Sequence, residues 1–259
     1  MSAFPNGTVL GYPRIGRRRE LKRAVEAHWA GRIDVDELER TAAALRRETR
    51  ERLAALGLGR DDSSIPESFS FYDQVLDAAF AVGALPERFA RHRDAGLSAY
   101  FVAARGQGED APLEMTKWFD TNYHYLVPEI GPDTTFSLTG DRFARQVAEA
   151  RADGFVTRPV VVGPVTLLAL AKAADGAPEG FDPLSRLDDL LPVYAQLLAA
   201  LRAAGAEWVQ LDEPALVSES LPTSAAALAE AASRAYAVLG AADDRPAVLV
   251  AAPYAQLSD

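Results

Sequence analysis

The sequence predicts an α/β protein of parallel β/α units, and within that class a (β/α)8 barrel that is truncated after about six units. Short apolar strands alternate with long amphipathic or alanine-rich helices along the chain, which is typical of a parallel sheet covered by helices. Proline and glycine follow several strands, as in VGPVT and DEPAL, where βα loops begin. The first strand leads into GYPRIG, which lacks the G-x-G-x-x-G spacing of an open nucleotide-binding sheet.

The predicted strands are short runs that are rich in β-branched and aromatic residues and are bounded by turn residues. A barrel of this class needs more strands than the sequence offers before it can close. We therefore expect an incomplete barrel. The six predicted strands cover residues 8–12, 68–73, 114–119, 158–163, 207–213 and 247–252.

The predicted helices lie between these strands and show apolar residues at a spacing of three and four positions. Such a spacing places the apolar side chains on one face, which packs against the sheet. The sequence contains no tandem repeat and no low-complexity linker. The predicted helices cover residues 19–30, 36–56, 73–83, 141–153, 184–204 and 223–240.

Composition limits the classes of function. The chain has 259 residues, no cysteine and a formal net charge of −10, which excludes disulfides and thiolate metal sites on this chain. Its overall acidity argues against a nucleic-acid partner. No apolar run is long enough to span a membrane and the amino-terminal residues do not resemble a signal peptide, so we expect a cytoplasmic protein with no membrane partner.

Positive charge is concentrated near the amino terminus, although the whole chain is acidic. Residues 1–60 hold 13 Lys and Arg against 8 Asp and Glu, and GRRRELKR at residues 16–23 is the densest cluster. Cations repel the positive end of a helix dipole, so helix stability alone does not account for them at the start of a helix. The cluster predicts a site for a small anionic ligand. A solvated face that balances the acidic remainder is the alternative.

Several ordered motifs give the sequence a family resemblance. Together they resemble the N-terminal half of cobalamin-independent methionine synthase, in the order of that family and over nearly the whole chain. One such motif would be weak evidence, but the ordered set is specific. The motifs are LGYPRIGRRRELKRA (10–24), FSFYDQVLD (69–77), EMTKWFDTNYHYLVPE (114–129), PVVVGPVTLL (159–168), LPVYAQLLAAL (191–201) and EWVQLDEPAL (207–216).

The resemblance implies a methyltransferase of methionine biosynthesis. Members of the family transfer the methyl group of 5-methyltetrahydropteroyltriglutamate to homocysteine, and they fold as two (β/α)8 barrels placed face to face. By this resemblance residues 1–259 form the first barrel, incomplete at its carboxyl end. The catalytic second barrel is absent, so we expect homocysteine to bind only when it is present. We expect the isolated chain to be inactive.

The resemblance also implies substrate-binding residues. In the family the R-E-L-K stretch, here Arg19, Glu20, Leu21 and Lys22, contributes to binding the folate, and Lys117 of EMTKWF does the same. Asn122 matches a further position of the family. We expect Arg19 and Lys22 to bind carboxylates of the glutamate tail and Lys117 to add a third positive charge.

Zinc is the cofactor that the resemblance implies, and cobalamin is not used. The family holds its zinc with His, Cys, Glu and Cys ligands of the second barrel, where the metal activates homocysteine as a thiolate. The three histidines of this chain show no paired ligand spacing. We therefore expect no metal and no catalytic residue on this chain.

One departure from the family pattern concerns Gln74. It stands where the family usually has His in Y-D-H-V-L-D. Glutamine can still form hydrogen bonds, but it cannot titrate near neutral pH. A role of this position that depends on charge is therefore in doubt.

Two other functions stay open at this point. The chain could be a non-catalytic module that binds folate or docks onto a separate catalytic half. It could instead be an unrelated barrel lyase or hydrolase with Asp212 or Glu213 as its base. Neighbouring strand residues point to opposite sides, so we expect only one of these two carboxylates to face the centre. A structural role is the simpler expectation for the pair. His124 is expected to be packed or at the rim.

Overall fold

The described part of the protein is organised around a parallel sheet. The structure is a computed structural model that describes residues 3–89, 92 and 96–256. Its strands are β1 (Pro66–Glu67), β2 (Met115–Lys117), β3 (His124–Leu126), β4 (Glu129–Ile130), β5 (Arg158–Val162), β6 (Lys172–Ala173), β7 (Trp208–Asp212) and β8 (Ala247–Ala251).

The helices lie between and beside these strands. Short 3-10 helices at Pro183–Arg186 and Pro214–Val217 add to them. The α-helices are α1 (Glu20–Trp29), α2 (Val35–Ala55), α3 (Gln74–Ala81), α4 (Leu97–Arg105), α5 (Arg142–Ala152), α6 (Pro164–Ala169), α7 (Leu187–Ala203) and α8 (Ala225–Gly240).

The main sheet contains four strands in the order β1-β5-β7-β8, and all its neighbours are parallel. Val160 of β5 lies opposite Gln210 of β7, and Asp212 at the end of β7 lies opposite Ala251 of β8. The strands β5 and β7 are mostly buried, because helices that return the chain between parallel strands cover the sheet. All four strands therefore end at one edge of the sheet, which we call the carboxyl edge.

Two large apolar clusters hold these elements together. The first lies between the sheet and the helices α6, α7 and α8, and it includes Tyr194, Val209 and Leu211, which are all fully buried. The second joins α1 to α4 and includes Leu21 and Leu38. Helix α2 begins at a standard cap, because the carboxylate of its N-cap residue accepts a hydrogen bond from the backbone of the first turn.

The predicted helices are confirmed to within a few residues, and so are the last three predicted strands. One predicted helix, 184–204, is divided in the structure, because a 3-10 turn over Pro183–Arg186 precedes α7. The sequence analysis missed α4 and α6. The parallel α/β class is confirmed. The main sheet of the described residues is open, and the incomplete barrel stays a prediction.

The predicted first strand, 8–12, is wrong. These residues run alongside the chain that leads into and out of β1 but form no strand. The Thr8 hydroxyl donates to the Ser64 carbonyl oxygen at 2.6 Å, and the Tyr12 backbone N–H donates to Ser68 Oγ at 3.1 Å. Side chains thus take the hydrogen bonds that a β-ladder would make between backbone groups.

Two further predicted strands need correction. The run 68–73 lies just after the observed strand Pro66–Glu67 and forms no strand itself. The run 114–119 does contain β2, but β2 pairs antiparallel with β3, and Lys117 lies opposite His124. The chain reverses between these two residues, so this segment is a β-hairpin and not a β/α unit of the main sheet.

Candidate functional site

A cavity of about 520 Å³ opens at the carboxyl edge of the sheet. Elements that are far apart in sequence build its walls, because parallel strands bring their following loops to one edge. The segment before α1, the start of α3, the β2–β3 hairpin and the loop after β8 all contribute. The lining residues are Leu10, Gly11, Tyr12, Pro13, Arg14, Ile15, Ser68, Phe69, Gln74, Asp77, Trp118, Tyr123, Phe143, Val160, Asp212 and Tyr254.

The predicted anion-binding segment follows directly after the residues that line this cavity. Arg19 is the N-cap of α1, with a left-handed backbone at φ 63° and no capping hydrogen bond from its side chain. A positive φ is unusual for a residue with a side chain. The conformation leaves the Arg19 side chain exposed at the start of the helix. Arg17 and Arg18 of the basic cluster precede α1, so only the later cations of the cluster belong to the helix or its cap.

The other residues of the R-E-L-K stretch have distinct environments. The Glu20 carboxylate accepts a hydrogen bond from the Arg18 backbone N–H at 2.9 Å, and this bond lowers the pKa of Glu20. Leu21 is 2% exposed and packs in the apolar cluster of α1 to α4. Lys22 is exposed and pairs with Glu26 one turn later at 3.7 Å. Only Arg19 and Lys22 of this stretch thus offer exposed positive charge.

The β2–β3 hairpin carries the other predicted residues. Lys117 and Asn122 are exposed, and His124 lies exposed at the rim. Trp118 between them is buried, and its indole N–H donates to the Tyr254 hydroxyl at 2.8 Å. This bond ties the hairpin to the loop after β8, so the orientation of the hairpin is fixed.

The structure brings the two predicted segments to one cavity, but the predicted cations are not part of its lining. Ile15 and Trp118 line the cavity, and they precede Arg19 and follow Lys117 in the chain, respectively. Gln74, at the position of the family histidine, also lines it. Most residues that line the cavity were therefore not singled out from the sequence, and the predicted binding residues stay a prediction.

A buried polar network lies below the cavity. The Arg158 side chain is fully buried, and it donates to Gln210 Oε1 at 3.1 Å and to the Val9 carbonyl oxygen at 2.9 Å. The Gln210 amide then donates to Asp212 Oδ1 at 2.7 Å and to the Leu10 carbonyl oxygen at 2.9 Å. Burial lowers the pKa of Arg158 to about 10. The network holds the segment before α1 against the end of β7.

Asp212 and Glu213 have different roles, as the alternation of strand side chains predicts. Asp212 lines the cavity, where burial raises its pKa to about 6. Glu213 is fully buried, and its carboxylate accepts hydrogen bonds from the backbone N–H of Thr166 at 2.6 Å and from the Tyr236 hydroxyl at 2.9 Å. Glu213 therefore caps α6, which gives it a structural role and makes it a poor candidate base.

Two further buried carboxylates lie at α3, and the sequence analysis did not single them out. Asp73 caps α3 and also accepts from the Leu126 backbone N–H at 3.2 Å, and burial raises its pKa to about 7. Asp77 lines the cavity and is paired with Arg142. The signal was two carboxylates four residues apart within an apolar helix pattern.

The described residues do not fit a resident metal. Across residues 3–89, 92 and 96–256, no group of three or more His, Cys, Asp or Glu side chains could hold a metal ion. The residues present thus do not form a zinc site, and we derive no chemical step through zinc. In that same part of the chain, no helix has the length and apolar character needed to cross a membrane.

A parallel α/β sheet with a polar cavity at its carboxyl edge is typical of the α/β domains that have a small-molecule site. Comparison with known families gives the particular family. Residues 6–259 match the family described as "Cobalamin-independent synthase, N-terminal domain". The chain therefore belongs to this family, which confirms the resemblance seen in the sequence.

Curated relatives agree with this assignment. A 5-methyltetrahydropteroyltriglutamate–homocysteine methyltransferase of Streptomyces avermitilis is 55% identical, over 100% of this chain and 33% of the relative. A protein of the same name from Mycobacterium tuberculosis H37Rv is 54% identical, over 94% and 31%. The chain thus spans about a third of the length of these curated relatives.

The fold is also similar to that of a solved protein. The crystal structure of a putative vitamin-B12-independent methionine synthase from Listeria monocytogenes matches with a TM-score of 0.55. The match covers 94% of this chain and 62% of that one at 13% sequence identity. At this identity the comparison supports the fold alone.

Proposed function

We propose that this chain binds the glutamate tail of a folate substrate, as the N-terminal part of a cobalamin-independent methionine synthase. The complete enzyme would transfer the methyl group of 5-methyltetrahydropteroyltriglutamate to homocysteine and release methionine. The names of the relatives, together with identity over the whole chain, support this proposal. Because the chain spans only about a third of those relatives, the catalytic reaction is proposed for the longer protein.

The observation that carries the proposal is the exposed Arg19 at the start of α1. Its left-handed backbone places an exposed guanidinium, which makes no capping bond, at the start of the helix. A guanidinium of this kind pairs readily with carboxylates. Lys22 adds a second exposed cation on the same helix, and its partner Glu26 is an exposed residue that gives a weak ion pair.

Lys117 would provide the third contact. It lies on the hairpin that is fixed over the same cavity by the bond between Trp118 and Tyr254. A chain of glutamates is a flexible polyanion, so separated cations at a cavity mouth suit it better than one closed pocket. A local positive field in an otherwise acidic protein would also favour its approach.

Calorimetric binding at low and moderate salt tests the proposal. The ligands are methyltetrahydrofolate with three glutamates and the same compound with one. We expect the triglutamate to bind more tightly, by about tenfold or more, and more so at low salt. The double change Arg19→Ala, Lys22→Ala should remove this preference.

A matched control separates a specific site from a general effect of charge. The double change Arg202→Ala, Arg234→Ala also removes two exposed cations, but these lie on α7 and α8. It should leave the preference for the triglutamate intact. Equal loss in both double variants would contradict the proposal, and so would a folded chain that binds neither ligand.

The isolated chain should not complete the methyl transfer. The described residues contain no site for zinc, and the sequence has no cysteine that could serve as a thiolate ligand. A methyl-transfer assay on the 259-residue chain, supplied with both substrates and zinc, should yield no sustained formation of methionine. Sustained zinc-dependent turnover would contradict this part of the proposal.

A further inference from the structure

We propose that the cavity at the carboxyl edge is itself a binding site for a small planar organic cation, a protonated amine or amidine carried on a flat ring. Asp212 would accept its charge and the aromatic walls would hold its ring. This site is separate from the exposed cations of the proposed tail-binding segment. The inference goes beyond the proposed function and does not depend on it.

The size and position of the cavity suit a small-molecule ligand. Its volume of about 520 Å³ falls within the range of small-molecule sites. It lies at the carboxyl edge of a parallel sheet, where proteins of this class bind their ligands. Its lining combines apolar walls with a few polar groups that converge from different elements.

The Asp212 carboxylate has few hydrogen-bond partners. In the described part of the chain it receives one side-chain hydrogen bond, from the Gln210 amide to Oδ1 at 2.7 Å. The nearby Arg158 uses its donors on Gln210, on Val9 and on other acceptors, and it forms no ion pair with Asp212 among the described contacts. Asp212 is half-buried, and a carboxylate that is partly withdrawn from water with one neutral donor is incompletely compensated. A cationic donor from a ligand would complete its hydrogen bonding.

The other charged side chains at the cavity already have partners. Asp77 is already neutralised by Arg142, which forms an ion pair with it. The Arg14 guanidinium donates to the Tyr72 carbonyl oxygen, and its charge acts on Asp73 and Asp77. Arg14 is therefore not a free anion site. This leaves Asp212 as the lining carboxylate that forms no ion pair in the described residues, although the charge of Arg158 acts on it from beyond ion-pair distance and lowers its pKa.

Aromatic side chains form part of the cavity lining. Trp118, Tyr123, Phe143 and Tyr254 all border the cavity. Tyr123 is 65% exposed and Tyr254 is 61% exposed, so both rings present apolar surface at the mouth. Aromatic faces attract cations as well as flat rings. The combination of one acid without an ion pair and several rings thus favours a planar cation over a sugar or a phosphate.

Two probes that differ mainly in charge test the proposal. Benzamidine is a planar cation, and benzamide is its neutral counterpart of nearly the same shape. Calorimetric titration of the 259-residue chain near pH 7.5 measures the affinity for each. We expect benzamidine to bind about tenfold more tightly than benzamide.

Variants then assign the two parts of the site. Asp212→Asn should reduce the preference for benzamidine to about onefold, because the amide keeps the shape and loses the charge. Tyr123→Leu should weaken both probes by a similar factor, since it removes ring surface and no charge. The control Asp243→Asn changes an exposed acid beyond α8 and should alter neither affinity.

The affinities of the wild-type chain and the variants decide whether the proposal holds. A preference that disappears in Asp212→Asn and survives in Asp243→Asn supports the proposal. It is overturned if the folded wild-type chain binds neither probe, if it does not distinguish them, or if Asp212→Asn retains the full preference. No folate is used, so failure here leaves the proposed tail-binding function unaffected, and failure there leaves this site unaffected.

Discussion

Gly163 and Glu213 are packed so closely that a Cβ atom on Gly163 would lie 2.2 Å from Oε1 of Glu213. The absence of a side chain at the end of β5 therefore lets the Glu213 carboxylate reach the start of α6. There it accepts from the backbone N–H groups of Val165 and Thr166. One glycine and one buried carboxylate thus fix how β5, α6 and β7 join at the carboxyl edge.

Gly163→Ala should destabilise the protein for this reason. The added methyl group must displace a fully buried carboxylate, and overpacking of this kind costs about 1–3 kcal/mol. The free energy of unfolding from urea titration measures the effect. The control Gly240→Ala adds a Cβ that meets no atom within 4 Å at the end of α8, and it should be neutral or slightly stabilising. Equal stability of the two variants would contradict this account.

Asp212 should make the stability of the chain depend on pH. Burial raises the pKa of Asp212 from 3.8 to about 6, so the folded chain binds this proton more tightly than the unfolded chain does. The group therefore lowers the free energy of unfolding as the pH rises through that interval. Asp212→Asn keeps an oxygen that can accept the hydrogen bond from Gln210, and its amide side chain does not titrate.

Urea unfolding of wild type and Asp212→Asn at about pH 5 and pH 7.5 measures this difference. The variant should lose less stability than wild type on going to the higher pH, by on the order of 1 kcal/mol. Every other titrating group is common to both proteins, so the comparison isolates Asp212. Parallel behaviour of the two proteins would show that the carboxyl is solvated.

Arg158 should control the order of the segment before α1. Its guanidinium donates to the carbonyl oxygens of Val9 and Ser63 at 2.9 and 2.7 Å. Arg158→Met fills similar space but removes both hydrogen bonds, and it leaves the buried Ser63 carbonyl oxygen unpaired, which costs about 1–3 kcal/mol.

Hydrogen exchange of peptides that cover residues 3–15 provides the readout. Exchange there should accelerate in Arg158→Met at denaturant-free conditions. It should stay unchanged in the control Arg145→Met, since that side chain is exposed and, among the described residues, forms an ion pair with Asp141 alone. Unchanged exchange in both variants would mean that other contacts hold the segment.

The sequence predicted the elements whose apolar pattern follows directly from how each of them is buried. The strands β5, β7 and β8 are short apolar runs between helices, and α2 was predicted as 36–56 against an observed Val35–Ala55. The run 8–12 failed because strand composition does not reveal that the Thr8 and Ser68 side chains take the local hydrogen bonds. The run 114–119 failed because its partner is set by a chain reversal that periodicity does not encode.

The candidate site divides in the same way. Arg19, Lys22 and Lys117 were identified from motifs, and their role stays a prediction. Asp212 was noticed because it ends an apolar strand, which places it at the carboxyl edge. Arg14 and the other walls could not be predicted, because tertiary packing alone brings them to the cavity from separate elements.

The hydrogen bond between Trp118 and Tyr254 also bears on the order in which the molecule folds. The two residues are 136 positions apart, and contacts of such long range form only after the intervening chain has been organised. The hairpin can form locally, but its final position requires β8 to join the sheet. We infer that the cavity is among the last features of this domain to form, so a ribosome must synthesise the chain as far as Tyr254 before any ligand can bind there.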